Sequence, residues 1–260
     1  MSPEVVIAVA GLLVALGGFV QSGLGLGLGL IAAPVVTLLD PALMPGSMLV
    51  AGASLPVLIL AREALHADWP GVSWALTGRA AGTLGGIWVL AVVSLRALGI
   101  VVGAMVLTVV ALSVRSAVVP RNRATLLTAG VISGVTGTAT SIGGPPVALL
   151  YQAESGPRVR ATLSVFFTVG NTIALCALAA TGHLPGRDVL AGLVFTGCAT
   201  AGFAAAAGLR RFLDAGRTRA AVLAAAAGSA LVLIGHSILG LAPRPPGRSP
   251  MGAQRLSGTP

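Results

Sequence analysis

The sequence contains no lysine, and its acidic and aromatic residues are few. Charged residues make up 9% of the chain, whereas soluble domains carry about 25%, so an ordinary soluble domain is excluded. One Tyr, three Trp and six Phe cannot form the stacking surface that holds unpaired bases. No nucleic-acid partner is therefore expected, despite a net charge of +9. Cys176 and Cys198 lie within apolar runs, and they predict neither a disulfide framework nor a metal site.

Apolar residues in long runs dominate the chain, from Val5 almost to Leu241. Hydrophobic residues make up 55% of the sequence, and the mean hydropathy is +0.96. Since about 20 apolar residues cross a bilayer as a helix, the predicted fold class is an all-α polytopic membrane protein with the lipid bilayer as its partner. All sixteen basic residues are Arg and most lie between the runs, as expected of loops at an anionic cytoplasmic leaflet.

The two ends of the chain differ in composition. The N-terminal stretch lacks a basic region and carries Glu4, so it is predicted to be the first helix rather than a cleaved signal peptide. Residues 242–260 are rich in Pro, Gly, Arg and Ser and are predicted to be a disordered C-terminal tail. Ten apolar segments between these ends are predicted to be helical; they lie near 4–20, 24–39, 43–61, 72–94, 97–118, 124–138, 143–152, 161–181, 189–209 and 219–241.

Two Gly-rich stretches interrupt apolar regions that are too long for a single crossing. QSGLGLGLG lies within residues 3–39, and TATSIGGPP lies within residues 124–152. A shift of the sequence by 116 residues aligns the two regions, placing Gly18 on Gly134, Gly27 on Gly143 and Gly86 on Gly202. The sequence therefore predicts two homologous transmembrane halves, residues 1–119 and 120–241.

The distribution of Arg predicts how the chain crosses the membrane. Eight simple crossings divide the loop arginines almost evenly, which breaks the positive-inside rule. If each Gly-rich break instead turns the chain back as a broken helix or re-entrant hairpin, ten arginines share one side. These are Arg62, Arg115, Arg121, Arg123, Arg158, Arg160, Arg210, Arg211, Arg217 and Arg219. Each half then makes an odd number of crossings, so the halves are predicted to be inverted, as in many secondary transporters.

The two breaks are predicted to form one substrate site at mid-membrane. Irregular backbone at membrane depth is tolerated where it lines a cavity or is buried in protein, and free N–H groups at helix N-termini attract anions. The predicted substrate-binding residues are Gln21, Ser22, Gly23, Gly25, Gly27, Thr138, Thr140, Ser141, Gly143, Gly144, Pro145, Asn171 and Arg79. No catalytic, metal-binding or cofactor-binding residue is predicted.

Structural explanations of the same residues stay open at this point. Glycines also allow close helix packing in membranes, which is the preferred interpretation of Gly78, Gly82 and Gly86. Arg79 either extends to the membrane interface or faces the cavity and attracts the anion. Asn171 either reaches the site or forms an interhelical hydrogen bond. A dinucleotide-binding fingerprint is excluded because no βαβ pattern surrounds the glycines.

The pattern GGFVQSGLGLGLGLIAAP, repeated as SGVTGTATSIGGPPVALL, resembles the TauE/SafE sulfite exporter family. The resemblance covers residues 4 to about 241 and includes Asp68-Trp69 at a helix start. It implies a multi-pass permease of the bacterial inner membrane that exports sulfite, sulfoacetate or related organosulfur anions. Leu28 and Pro145 stand where the family often has further glycines.

Other functions stay open beside anion export. Inverted repeats also serve importers and transporters of other solutes, and a membrane-embedded packing or partner subunit is a further alternative. An enzyme is not expected, because no cluster of His, acidic residues or Cys is visible at membrane depth. No ATP-binding motif occurs, so we expect export to be driven by the membrane potential. Homo-oligomerisation stays possible.

Overall fold

A computed structural model describes residues 3–24, 28–114, 120–209 and 215–239. The described residues form ten α-helices, one for each predicted apolar segment. They are α1 Pro3–Leu24, α2 Leu28–Leu39, α3 Gly46–Glu63, α4 Trp69–Val92, α5 Leu95–Val114, α6 Arg123–Thr140, α7 Pro145–Tyr151, α8 Gly156–Ala180, α9 Gly186–Leu209 and α10 Ala215–Ile238. The predicted tail at 242–260 lies outside the described residues.

Polar residues at the helix starts explain why several helices begin before their apolar segments. Asp68 accepts a hydrogen bond from the Gly71 amide at 3.3 Å and so caps α4. Asn122 and Thr125 form a reciprocal capping box at the start of α6. α8 begins at Gly156, five residues earlier than predicted, because Pro157 suits a first helical turn. Arg158 and Arg160, which the sequence prediction places before the helix, belong to its first turns.

Four described helices are long and apolar enough to cross a membrane. They contain Glu4–Ser22, Trp69–Val92, Gly156–Ala180 and Gly186–Ala206. Shorter apolar helices accompany them, including Leu28–Leu39 and Gly46–Ala61. Large apolar side chains such as Leu12 and Leu84 are 73% and 70% exposed, as expected of a surface that faces lipid rather than water.

Glycine allows two helix pairs to approach backbone to backbone. A Cβ on Gly82 of α4 would lie 2.1 Å from the Val131 carbonyl oxygen of α6, and a Cβ on Gly202 of α9 would lie 1.8 Å from the Ala15 carbonyl oxygen of α1. Such contacts leave no room for any side chain. The packing interpretation of Gly78, Gly82 and Gly86 is confirmed, since all three face α6 in this way.

The helix pairs follow the 116-residue shift found in the sequence. The shift takes α1 to α6, α2 to α7, α3 to α8, α4 to α9 and α5 to α10. The main pairs are α1 with α9, α4 with α6, α3 with α8 and α5 with α10. Under the shift the pair of α1 with α9 becomes the pair of α6 with α4, and the reverse. The pair of α3 with α8 and the pair of α5 with α10 each map onto themselves. The division into halves at residue 119 and the orientation of the halves stay predictions.

Charged side chains form a cluster near the starts of α4, α6 and α8 and the end of α7. Arg121 precedes α6 and pairs with Glu154, which follows α7, at 2.7 Å. Asp68 lies within 3.7 Å of both Arg121 and Arg158, and Tyr151 donates a hydrogen bond to it at 2.9 Å. After the second break the chain therefore returns to the end of the bundle at which α6 begins, as the predicted hairpin path requires.

Candidate functional site

The first break separates α1 from α2 by three residues, 25–27, which lie outside the described residues and include the predicted site residues Gly25 and Gly27. On the α1 side, Gln21 is 5% exposed, and its Oε1 accepts a hydrogen bond from the Leu28 amide at 3.2 Å. The side chain thus caps the N-terminus of α2, where amides lack helical partners. Ser22 is buried beside it, and Gly23 belongs to the last turn of α1.

The second break holds its backbone in an unusual conformation. Ser141 ends α6 with φ of 60°, in the left-handed region that non-glycine residues rarely adopt. Its Oγ donates to the Pro45 carbonyl oxygen at 3.0 Å, and the Ile142 amide donates to Thr140 Oγ1 at 3.3 Å. α7 then begins at Pro145, where a missing N–H costs nothing. Backbone of this kind persists only where its surroundings fix it, and it is frequent at functional sites.

A cavity of about 40 Å³ lies between the two breaks. It is lined by Gln21, Leu28, Gly29, Leu30, Met48, Gly52, Ser141, Ile142, Gly143, Gly144, Pro145, Phe167 and Asn171. The breaks touch at its wall, since a Cβ on Gly29 would lie 3.1 Å from the Ser141 carbonyl oxygen. One water requires roughly 10–15 Å³ of such volume, so the cavity suits a ligand of about three or four non-hydrogen atoms.

Arg79 is buried directly behind this cavity. Its side chain is 1% exposed, which rules out the alternative in which it extends to the membrane interface. The guanidinium donates to Ser133 Oγ at 3.0 Å and to Asn171 Oδ1, and it lies over the Phe166 ring at 4.9 Å. Within the described residues no carboxylate pairs with Arg79, and its Nε makes no hydrogen bond.

Small residues make the space that this guanidinium occupies. A Cβ on Gly170 would lie 2.0 Å from Arg79 Nε, and a Cβ on Gly143 would lie 2.6 Å from Nη1. Ser133 also donates a hydrogen bond to the Gly143 carbonyl oxygen, so it ties the break to the Arg79 environment. Asn171 and Gly143 contact Arg79 on one side and line the cavity on the other.

The structure thus brings part of the predicted site together. Gln21, Ser141, Gly143, Gly144, Pro145 and Asn171 line the cavity. Thr138 and Thr140 are buried but do not line it, because their hydroxyls bond to Thr83 and to the Thr136 carbonyl oxygen. Asn171 reaches the cavity and also forms an interhelical hydrogen bond with Arg79, so both of its predicted placements are observed. The binding role of all these residues stays a prediction.

Sequence reasoning missed several residues of this region. Gly52 and Met48 of α3 and Phe167 of α8 line the cavity, while Ser133 and Gly170 hold Arg79. Gly52 and Gly170 are isolated glycines inside helices, which cost about 1 kcal/mol relative to Ala, and that cost was the available signal. Met48, Phe167 and Ser133 carried none, because such residues are ordinary in apolar helices.

The family model described as "Sulfite exporter TauE/SafE" matches residues 10–233. The chain belongs to this family. The match spans both breaks, Arg79 and Asn171, and this TauE/SafE member is therefore a membrane protein of a transporter family. No curated protein and no solved structure matches the chain significantly.

Proposed function

We propose that this TauE/SafE member is a secondary transporter that exports small anions across the bacterial inner membrane. The cavity between the two breaks is its substrate site, and sulfite, sulfoacetate and related organosulfur anions are its substrate class. The observation that carries the proposal is the buried charge of Arg79 next to this cavity, with no carboxylate partner among the described residues. The family membership supports an exporter.

An unpaired buried cation is unfavourable for the protein alone. Desolvating an isolated charge costs at least several kcal/mol, and hydrogen bonds from Arg79 to neutral oxygens return only part of that cost. An anion in the cavity is separated from the guanidinium by a single layer of residues, Asn171 and Gly143. At low effective dielectric its attraction to Arg79 is strong, so the site favours a negatively charged ligand.

The ends of the two hairpins support alternating access between opposite sides. The second hairpin begins and ends at the charged cluster of Asp68, Arg121 and Glu154. The first is followed by Gly46, where a Cβ would lie 2.8 Å from Asp188 Oδ2 at the start of α9. α8 has 25 residues, a length of about 37 Å, and it separates the two regions in the chain. We infer inverted halves, with substrate bound where the breaks meet.

Anion flux in proteoliposomes tests this function. Purified protein is reconstituted, and uptake of sulfite, sulfoacetate, sulfate and taurine is measured under a fixed membrane potential. We expect saturable flux of at least one anion and its loss in Gly143→Ala, whose Cβ would lie 2.6 Å from Arg79 Nη1 and 2.7 Å from the Ser133 carbonyl oxygen.

The matched control is Gly197→Ala on α9, where a Cβ meets nothing within 4 Å. It should leave flux unchanged, because it adds the same methyl group without touching the cavity. Absence of flux for all four solutes, in protein that elutes as a single species, contradicts the proposal.

A further inference from the structure

Two amide side chains line the cavity, and the oxygen of each accepts a hydrogen bond from a protein donor. Asn171 Oδ1 accepts from Arg79, and Gln21 Oε1 accepts from the Leu28 amide. A guanidinium and a backbone N–H can only donate. The identity of each oxygen is therefore fixed by its partner, and the ambiguity that usually attends Asn and Gln orientation does not arise here.

The other end of each amide is its NH₂ group, and for Asn171 its position is defined. Nδ2 lies on the side of Gly52, where a Cβ would come within 2.8 Å of it. Gly52 and Asn171 both line the cavity. Within the described residues Nδ2 donates no hydrogen bond, and Asn171 retains 7% exposure. An NH₂ group can donate but cannot accept, so Asn171 Nδ2 offers only donors to the cavity.

Arg79 does not line the cavity itself. Ser133, Phe166 and Gly170 contact its side chain, and none of the three lines the cavity. Its contact with a ligand is therefore made through Asn171, whose amide it orients and polarises. Arg79 is a positioning residue in this arrangement, and Asn171 is the residue that touches the substrate.

Resting on the anion-transport function above, we propose that Asn171, oriented by Arg79, selects compact and fully deprotonated oxyanions. The volume of about 40 Å³ favours an ion of a few atoms, of the size of sulfite, over a longer organosulfonate. A substrate that carries its own N–H donors meets the Asn171 NH₂ group without an acceptor there. Taurine, whose ammonium group is such a donor, is the predicted poor substrate.

Asn171→Asp tests this assignment sharply. Asp has the same shape and keeps a partner for Arg79, so a purely structural Asn171 tolerates the change. A selectivity residue does not, because the change puts an acceptor oxygen where Nδ2 was and neutralises Arg79. We expect KM for sulfate or sulfite to rise about 10- to 100-fold, as for loss of a hydrogen bond to an ion. The preference over taurine should fall by a similar factor.

Two further variants complete the experiment. Gly52→Ala places a methyl group 2.8 Å from Nδ2 and leaves the charge of the site unchanged, so it should raise KM in the same direction. Thr172→Val is the control, since Thr172 is exposed and, in the described part of the chain, its hydroxyl bonds only to the Thr168 carbonyl oxygen.

The outcomes separate the selectivity role from the transport function. If the wild type transports anions and Asn171→Asp shows the same KM and the same preference over taurine, the selectivity role of Asn171 is overturned. Anion transport is then still supported. Absence of wild-type flux for every anion overturns both. Equal wild-type transport of taurine and sulfate overturns the selectivity alone.

Discussion

Arg121 and Glu154 form an ion pair at 2.7 Å, although a helix, a break and a second helix separate them in the chain. The pair places the entry to α6 and the exit from α7 at one end of the bundle. Arg160 pairs with Glu63 at 2.8 Å, which adds the end of α3 and the start of α8 to this region. Residues from both predicted halves thus meet in one charged cluster.

Cysteine accessibility tests the sidedness that this cluster indicates. In a background with Cys176 and Cys198 replaced by Ala, single Cys at positions 121 and 154 should react with an impermeant thiol reagent from the cytoplasmic side. A Cys at position 187, which lies at the start of α9 and is exposed, should react from the opposite side. Labelling of positions 121 and 154 from different sides contradicts the hairpin path.

Replacement of Arg79 should separate stability from transport. Arg79→Gln removes a buried charge that no carboxylate in the described residues compensates and keeps an amide donor for the Asn171 oxygen. We expect the melting temperature in detergent to be unchanged or higher, because the desolvation cost disappears. Anion flux should fall at least about tenfold, equivalent to about 1.4 kcal/mol.

Arg187→Gln is the matched control for this change. Arg187 is 53% exposed and pairs only with Asp188 in the described part of the chain. Neither the melting temperature nor the anion flux should therefore change greatly in Arg187→Gln. A melting temperature that falls strongly in Arg79→Gln, with flux retained, assigns Arg79 a structural role instead.

Gly82→Ala should destabilise the α4 and α6 pair. Its Cβ would lie 2.1 Å from the Val131 carbonyl oxygen, and because that atom belongs to the backbone, the helices have to move apart. Overpacking of this kind costs about 1–3 kcal/mol, and we expect a lower melting temperature. Gly197→Ala, with open space around it, should be neutral or slightly stabilising, because Ala favours helix. Equal melting temperatures for the two variants contradict the close contact.

The sequence predicted the helices and both breaks well, for physical reasons. Apolar runs between charges define membrane helices by hydropathy, and glycine and proline mark the places where they end. The predicted start of α8 is five residues too late. Arg158 and Arg160 indicate a loop by hydropathy, but the first turns of a helix readily accommodate charged residues.

The site was predictable only in part. Gln21, Ser141 and Gly143 are polar or small residues at the breaks, Asn171 is a polar residue inside an apolar helix, and all four line the cavity. Thr138 lies close to the same break in sequence, but helical periodicity turns it toward Thr83 of α4. The contact between Arg79 and Asn171 joins positions 92 residues apart, and no pattern within one helix indicates which remote side chain completes it.

Export by this protein should be electrogenic if the membrane potential alone drives it. The described residues contain no His or carboxylate among those that line the cavity, so proton coupling at the site has no obvious carrier there. A potential of 100 mV, negative inside, supplies about 2.3 kcal/mol per charge, which sustains roughly a 50-fold outward gradient of a monovalent anion, at about 1.36 kcal/mol per tenfold.

Proteoliposomes with a potassium diffusion potential test this directly. Anion accumulation should follow the potential that valinomycin sets across a potassium gradient. It should vanish when the potassium concentrations on the two sides are equal, because the potential is then zero. A proton gradient without a potential should drive nothing. Accumulation under a pH gradient at zero potential would show that a proton moves with the anion. The search for its carrier would then turn to Asp188 near the start of α9, a buried carboxylate that does not line the cavity.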